Sequence, residues 1–349
     1  LSWTASIFVL GNLLSGWAFD RLWPWIRFPD LYYNLAYLEA QPAVPTVVCL
    51  GSSRFGSLVN AQVMTRWLQQ LTRDRRAWVF NASVTGGDAL SSEGMLREML
   101  HRGVRPQYAL IEMCPPAIAE HNPWPDGFMR RQLQWSDIPT HAADLARQDQ
   151  LLRLIQVRLL PLYGYRERIC IEASRACARW WMSGEKPVES TGTTPVAATT
   201  ATNGAVAPLD WHKIIVKAPV EDDRREVSQR ALPYLSRVMR NYHPGGTLVA
   251  ALERIMALCR ENSIEPILVG VPVTSSFRQA VTPAMEASYR AFLSQFCQRY
   301  HCTFVDYYAA LPDNLFLDYH HATGEGAEEF GYLLTSDVFA PLSRPLVLR

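Results

Sequence analysis

Five short apolar runs constrain this chain more than any other feature. They are Thr46–Leu50, Trp78–Asn81, Tyr108–Met113, Pro266–Pro272 and Thr303–Asp306. Nearly continuous apolar runs of this length suit strands covered on both faces, as in parallel sheets. Between them, Ala61–Thr72 places Val63, Met64, Trp67, Leu68 and Leu71 on one side of a helix. Ser91–Arg102, Thr247–Ser263, Pro283–Tyr300 and Gly324–Phe339 also read as helices. Strands alternating with helices predict an α/β fold, a three-layer sandwich around a central parallel sheet.

The rhythm breaks between the third and fourth runs. The core is expected at 46–114 and 247–341, with a helical insertion, 115–246, between its halves. Ile138–Ala178 reads as one or two helices and Glu221–Arg240 as a charged one. Residues 183–208 are rich in Thr, Ala, Gly, Ser and Pro, too poor in apolar surface to order themselves, and predict a flexible loop. The insertion also carries His121, Trp124, Trp135 and His141. Its Trp faces suit stacking on sugar rings or ordinary packing.

Composition closes off several classes of function. With 48% hydrophobic and 19% charged residues among 349, the chain can build a substantial core. A formal net charge of +1 supplies no bulk attraction for nucleic acid. Histidines are scattered, with no H-E-x-x-H, and no phosphate-binding Gly-rich motif occurs, so neither metal nor cofactor is expected. No cysteine pair has C-x-x-C spacing. Cys49 and Cys114 read as small core residues, while Cys297 and Cys302 flank a helix end and could bridge in an oxidising compartment.

The first nineteen residues carry no charge and nearly reach the roughly 20 needed to span a bilayer. Trp17, Trp23 and Trp25 then cluster with Asp20 and Arg21, as at a membrane boundary. Residues 1–23 are therefore expected to be the remainder of a signal-anchor helix, with the aromatic, Pro-rich 24–45 as a stalk or a first helix leading into the domain. The alternative is a buried N-terminal helix.

Two segments carry the chemistry. Gly51-Ser52-Ser53-Arg54 ends the first run, and Asp318-Tyr319-His320-His321 precedes the last helix. Ligands of open parallel sheets bind beyond the carboxyl ends of the strands, where these segments and Gly86-Gly87 would converge. A serine needs a base to take its proton and a third group to orient that base. Ser53, His321 and Asp318 are the candidates for those roles. Backbone N–H groups of Ser53 and of Gly86 or Gly87 would form an oxyanion hole. Arg54, Glu112 and His320 are candidate substrate contacts. An Arg54–Glu112 ion pair and a solvent-facing His320 are the structural alternatives, and a helix-capping serine is the alternative for the G-S-S-R turn.

With these residues in place, the chain resembles the SGNH/GDSL hydrolase superfamily. The resemblance covers the two core blocks and implies an SGNH/flavodoxin-like sheet with Ser53 as nucleophile, Gly86 in the oxyanion hole and Asp318 and His321 completing the triad. Gly324-Glu325-Gly326-Ala327 is similar to the helix start that follows in that family. The usual Gly-Asp-Ser is Gly51-Ser52-Ser53 here, and Glu112-Met113-Cys114-Pro115 stands where the family has an oxyanion asparagine. These departures resemble the membrane-anchored branch that acts in alginate O-acetylation and D-alanyl transfer. That likeness implies an extracytoplasmic catalytic domain, in the periplasm or at the cell surface, anchored by its N-terminal helix. It further implies an acylated polysaccharide or small ester as substrate, acetyl as the acyl group, and a membrane-bound O-acyltransferase as partner. The expected function is a serine esterase or O-acyltransferase. A non-catalytic envelope scaffold or polymer-binding protein is the alternative from another class, and a cytosolic lipase-like hydrolase a third reading.

Overall fold

The computed structural model describes residues 2–120, 133, 135–147, 150–182, 233, 235–236 and 239–340. It divides into two compact units, one of Leu1–Ala40 with Asp126–Leu209, the other of Gln41–Pro125 with Asp210–Arg349. Down the chain come α1 (Ser2–Arg21), α2 (Pro24–Arg27) and α3 (Pro29–Glu39), then β1 (Val47–Leu50), α4 (Ser53–Leu58) and α5 (Ala61–Thr72). Next are β2 (Val79–Asn81), α6 (Ala89–His101), β3 (Tyr108–Met113) and a 3-10 turn, Pro115–Ile118. The first unit resumes with α7 (Ile138–Arg147), α8 (Leu151–Leu159), α9 (Pro161–Gly164) and α10 (Arg166–Met182). The second ends with α11 (Gly246–Glu261), β4 (Glu265–Gly270), α12 (Ser275–Gln279), α13 (Pro283–Tyr300), β5 (Thr303–Asp306) and α14 (Gly324–Phe339).

In the second unit the strands form one sheet in the order β2-β1-β3-β4-β5, every neighbour parallel. Buried on both faces, the strands need side chains of one kind on both sides, which accounts for their continuous apolar runs. Val47, Cys49, Leu110, Ile267 and Val269 pack into one core with Phe55, Leu58, Met64 and Leu68 of α4 and α5 and with Phe330 and Leu334 of α14. The alternate residues Val48, Leu50, Ala109, Ile111 and Leu268 are equally buried on the opposite face. There α6 and α11 pack against each other. This is the expected three-layer α/β sandwich, and its order is that of flavodoxin-like sheets, whose switch point lies between β1 and β3.

The first unit departs from expectation. Of the two readings of 24–45, the helix is what is found rather than a bare stalk, because α2 and α3 pack within this unit. Asn34, Leu35 and Leu38, spaced as one helix face, are buried. Arg27, only 5% exposed, pairs with Asp20 at 2.8 Å, and Arg158 reaches the same carboxylate at 3.2 Å. The helix α1 leaves Ile7, Phe8, Leu10, Leu13 and Leu14 exposed. Among the described residues, however, no helix is long and apolar enough to cross a membrane. Gly11, Asn12, Ser15 and Gly16 dilute the run, and Asn12 and Ser15 turn their side chains back onto the carbonyls of Phe8 and Gly11. His141 is buried in α7, whereas Trp135 is exposed.

The expected insertion is also shorter at its far end. Leu235 and Met239 join Val273, Phe277 and Val281 in a small core of the second unit, because they lie on the approach to α11. The low-complexity segment 183–208, His121, Trp124 and most of Glu221–Arg240 lie outside the described residues. Cys297 and Cys302 are free thiols whose sulfurs lie 3.6 Å apart at the end of α13.

One glycine shows how closely α14 is seated. A Cβ on Gly326 would lie 2.5 Å from the carbonyl oxygen of Leu315 and 3.1 Å from its Cβ. Backbone cannot yield as a flexible side chain does, so Gly326→Ala is expected to lower stability by about 1–3 kcal/mol, the usual cost of overpacking. The shift in urea midpoint at constant m-value measures it.

Candidate active site

The turn after β1 is built by a short polar network. Ser52 caps α4, its hydroxyl accepting from the N–H of Arg54 at 3.1 Å. Its own N–H donates to Glu112 Oε2, and its hydroxyl donates to Glu112 Oε1 at 3.1 Å. Arg54 reaches the same oxygen at 2.7 Å with Nη1, which also lies 2.6 Å from the Cys114 sulfur. Glu112 thus ties the end of β3 to the turn after β1. Gly51 is required by that approach, since a Cβ there would stand 2.6 Å from Glu112 Oε2. With Ser52 turned inward, Ser53 is left at the first position of α4 and partly exposed.

The loop ahead of α14 is closed by an antiparallel bridge between Phe316 and Ala322. The N–H of Leu317 donates to the carbonyl of His321 at 2.7 Å, and Thr323 caps the helix. Within this loop Asp318 Oδ1 accepts from the N–H groups of His320 and His321, each at 2.8 Å. Asp318 Oδ2 lies 2.6 Å from His321 Nδ1, and His321 Nε2 lies 2.9 Å from Ser53 Oγ. Asp318 and Ser53 therefore hold the two ring nitrogens in distinct roles, with Nδ1–H donating to the carboxylate and Nε2 accepting from the hydroxyl. Burial works to raise the pKa of Asp318, but the hydrogen bond from His321 and the charges of both imidazoles outweigh it and hold the carboxyl well below its usual range.

The glycine pair divides. Gly86, at φ +61°, occupies the corner of a turn in which the N–H of Gly87 donates to the carbonyl of Val84 at 3.0 Å. That N–H is spent, so Gly87 is not the oxyanion donor anticipated as an option. Its lack of a side chain serves packing, since a Cβ would meet the Gly51 carbonyl at 2.7 Å. Among the described residues, the N–H groups of Ser53 and Gly86 donate to no partner, and both residues line the cavity at the triad.

The chain belongs to the family described as protein of unknown function, DUF1574. The family model matches residues 29–334. No functionally curated protein matches the chain. Among solved structures, a provisionally named acylhydrolase from Bacteroides fragilis NCTC 9343 is 13% identical, with 90% of this chain and 96% of that one covered at a TM-score of 0.36. A GDSL-like lipase from Bacteroides thetaiotaomicron VPI-5482 is 12% identical, covering 88% and 97% at a TM-score of 0.33. Overlap at this level carries no information about chemistry.

Of the sites expected from sequence, Ser53, Asp318 and His321 come together in one hydrogen-bonded chain. Arg54 and Glu112 meet as the ion pair that was the structural alternative, with side chains 13% and 4% exposed. His320 is half-buried and lines the cavity. Its Nδ1 is enclosed without a partner, and its ring lies 4.0 Å from that of Tyr319 and 4.1 Å from that of His321, centre to centre. Sequence reasoning missed Ser52 as the partner of Glu112, Asp88 as the cap of α6, and Phe277. Asp88 had a readable signal, the capping box it forms with Ser91. Phe277 had none, because its place beside Arg54 and Tyr319 depends on tertiary packing.

Asp318 and His320 make the fold acid-sensitive in two windows. Burial, followed by the charges of His321 and Arg54, holds the pKa of His320 well below its ordinary value, with Asp318 pulling the other way. An unfolded histidine titrates near about 6.5, so below that pH the unfolded chain binds a proton the folded one refuses. Stability therefore falls as pH drops from about 6.5 toward the depressed value. Asp318 adds a loss of the same sign that begins only near about 3.9. The thermal midpoint is expected to fall between about pH 7 and 5, with His320→Gln flattening that slope. An identical slope in the variant would remove His320 as its cause.

Proposed function

We propose that the protein is a serine ester hydrolase of the SGNH type, working through an acyl-enzyme on Ser53. The observation that carries this reading is the chain Ser53 Oγ to His321 Nε2 at 2.9 Å and His321 Nδ1 to Asp318 at 2.6 Å. It joins residues from opposite ends of the polypeptide at the carboxyl edge of one sheet.

In this mechanism Ser53 Oγ attacks the ester carbonyl carbon while His321 Nε2 takes the hydroxyl proton. Asp318 keeps Nδ1 protonated and stabilises the imidazolium that forms. The N–H groups of Ser53 and Gly86 bind the oxyanion. Collapse of the tetrahedral intermediate breaks the bond to the leaving alcohol, which takes its proton from His321. A water molecule then attacks the acyl-enzyme, gives its proton to His321, and the acid departs as the proton returns to Ser53. A sugar hydroxyl in place of that water would make the same steps an O-acyl transfer, the activity implied by the membrane-anchored relatives. An extracytoplasmic location and a membrane-bound acyltransferase partner belong to that version of the proposal.

Ser53→Ala is expected to abolish hydrolysis of an aryl ester while leaving the thermal midpoint within about 1 °C. Asp318→Asn should lower kcat by roughly 10⁴ by reversing the imidazole tautomer. A fluorophosphonate probe should form one adduct, located by peptide mass spectrometry on Ser53. A folded wild-type protein that takes up no probe would instead favour the non-catalytic scaffold.

A further inference from the structure

We propose that Asp88 is a specificity-determining residue of this site, its Oδ2 accepting a hydrogen bond from a substrate hydroxyl a few bonds from the ester carbonyl. This deepens the hydrolase reading and rests on it. Asp88 directly follows the glycine pair and lines the same cavity as Ser53, Gly86 and His321. Its two oxygens have different fates. Oδ1 caps α6, accepting from the N–H of Ser91 at 2.9 Å and from its hydroxyl at 3.0 Å. Oδ2 has no hydrogen-bond partner among the described residues, although Asp88 is only 7% exposed. A cap needs one acceptor atom, which a serine or threonine would supply without a second oxygen to leave bare. The cap therefore accounts for half of this carboxylate.

A buried acceptor left bare is costly, more so when it belongs to a charged group, and calls for a partner. Burial pushes the Asp88 carboxyl above its usual pKa range, with the Ser91 hydrogen bonds pulling the other way. A donor arriving with the substrate relieves that penalty. The last torsion of an aspartate is broad, so the carboxylate can pivot toward the cavity with Oδ1 still at Ser91. Position decides where the donor must sit. Gly86 offers its N–H to the oxyanion, and residues two apart keep their Cα atoms within about 7 Å. One short loop can thus hold the carbonyl oxygen and a nearby hydroxyl together. A hydroxyl suits this place better than an ammonium, because it costs far less to desolvate. Simple alkyl esters carry no such donor, whereas esters of diols, of sugars and of 2-hydroxy acids do.

The test uses pairs of esters in which a methyl group replaces the hydroxyl: 2-hydroxyethyl acetate against propyl acetate, and ethyl lactate against ethyl isobutyrate. The first pair carries the donor on the alcohol, the second on the acyl group. Each ratio is corrected for the alkaline hydrolysis rates of the two esters. Wild-type protein is expected to favour the hydroxylated member of one pair by roughly tenfold or more in kcat/KM, the scale of a hydrogen bond to a charged acceptor. Asp88→Asn keeps an oxygen for Ser91 and turns an NH₂ toward the cavity, while Asp88→Ser keeps a cap and removes the second oxygen. Both are expected to bring that ratio to within about threefold of unity. A role confined to capping α6 would leave the ratio unmoved, so a preference that survives in either folded variant overturns Asp88 as its source. A wild type that labels with fluorophosphonate on Ser53 yet shows no preference in either pair overturns the hydroxyl contact alone. A wild type that neither labels nor turns over any ester overturns the hydrolase reading and this contact with it.

Discussion

The carboxylate of Glu112 is the constraint on which the arrangement of the site depends. It stands at the end of β3, 7% exposed, and engages the backbone and hydroxyl of Ser52 and the guanidinium of Arg54. A buried charge of this kind is tolerated only when paired and hydrogen-bonded, and removing one partner of such a pair typically costs about 3–5 kcal/mol. Here the pairing also sets direction. By drawing Ser52 inward it leaves Ser53 as the residue at the rim, at the start of α4, where an N–H has no intrahelical acceptor. The glycine at 51 exists because the carboxylate approaches so closely.

Much of this was legible in the sequence. The five strands and their parallel pairing followed from runs too apolar to leave a face in water, and the carboxyl ends of those runs placed the 51–54 segment and the loop that holds 318–321 at one crevice. Asp318 and His321 were readable because their partnership is local: a loop closed three residues later brings them together whatever surrounds it. Arg54 and Glu112 could be read only as an ambiguity, since nothing in the spacing says whether two opposite charges face each other or a ligand.

What could not be read depended on backbone detail or distant packing. Whether Gly86 or Gly87 offers its N–H turns on which of them closes a hydrogen bond to Val84, and two adjacent glycines carry no mark of that. The composition of the aromatic, Pro-rich stretch before β1 leaves open whether it is a stalk or a helix, and Pro24 and Pro29 start helices. The role of Phe277 in the cavity wall arises from α12 returning over the site, more than two hundred residues after Ser53.

The hydroxyl of Ser53 and the ring of His321 are separated by 268 residues in sequence, yet each is held by a loop only a few residues long. Neither loop has any means of finding the other except through the layers beneath. If residue 53 reacts as proposed, its reactivity would report cooperative assembly: a chain that has secured one half of its sheet and not the other would carry an inert alcohol, safe from premature chemistry until folding is complete.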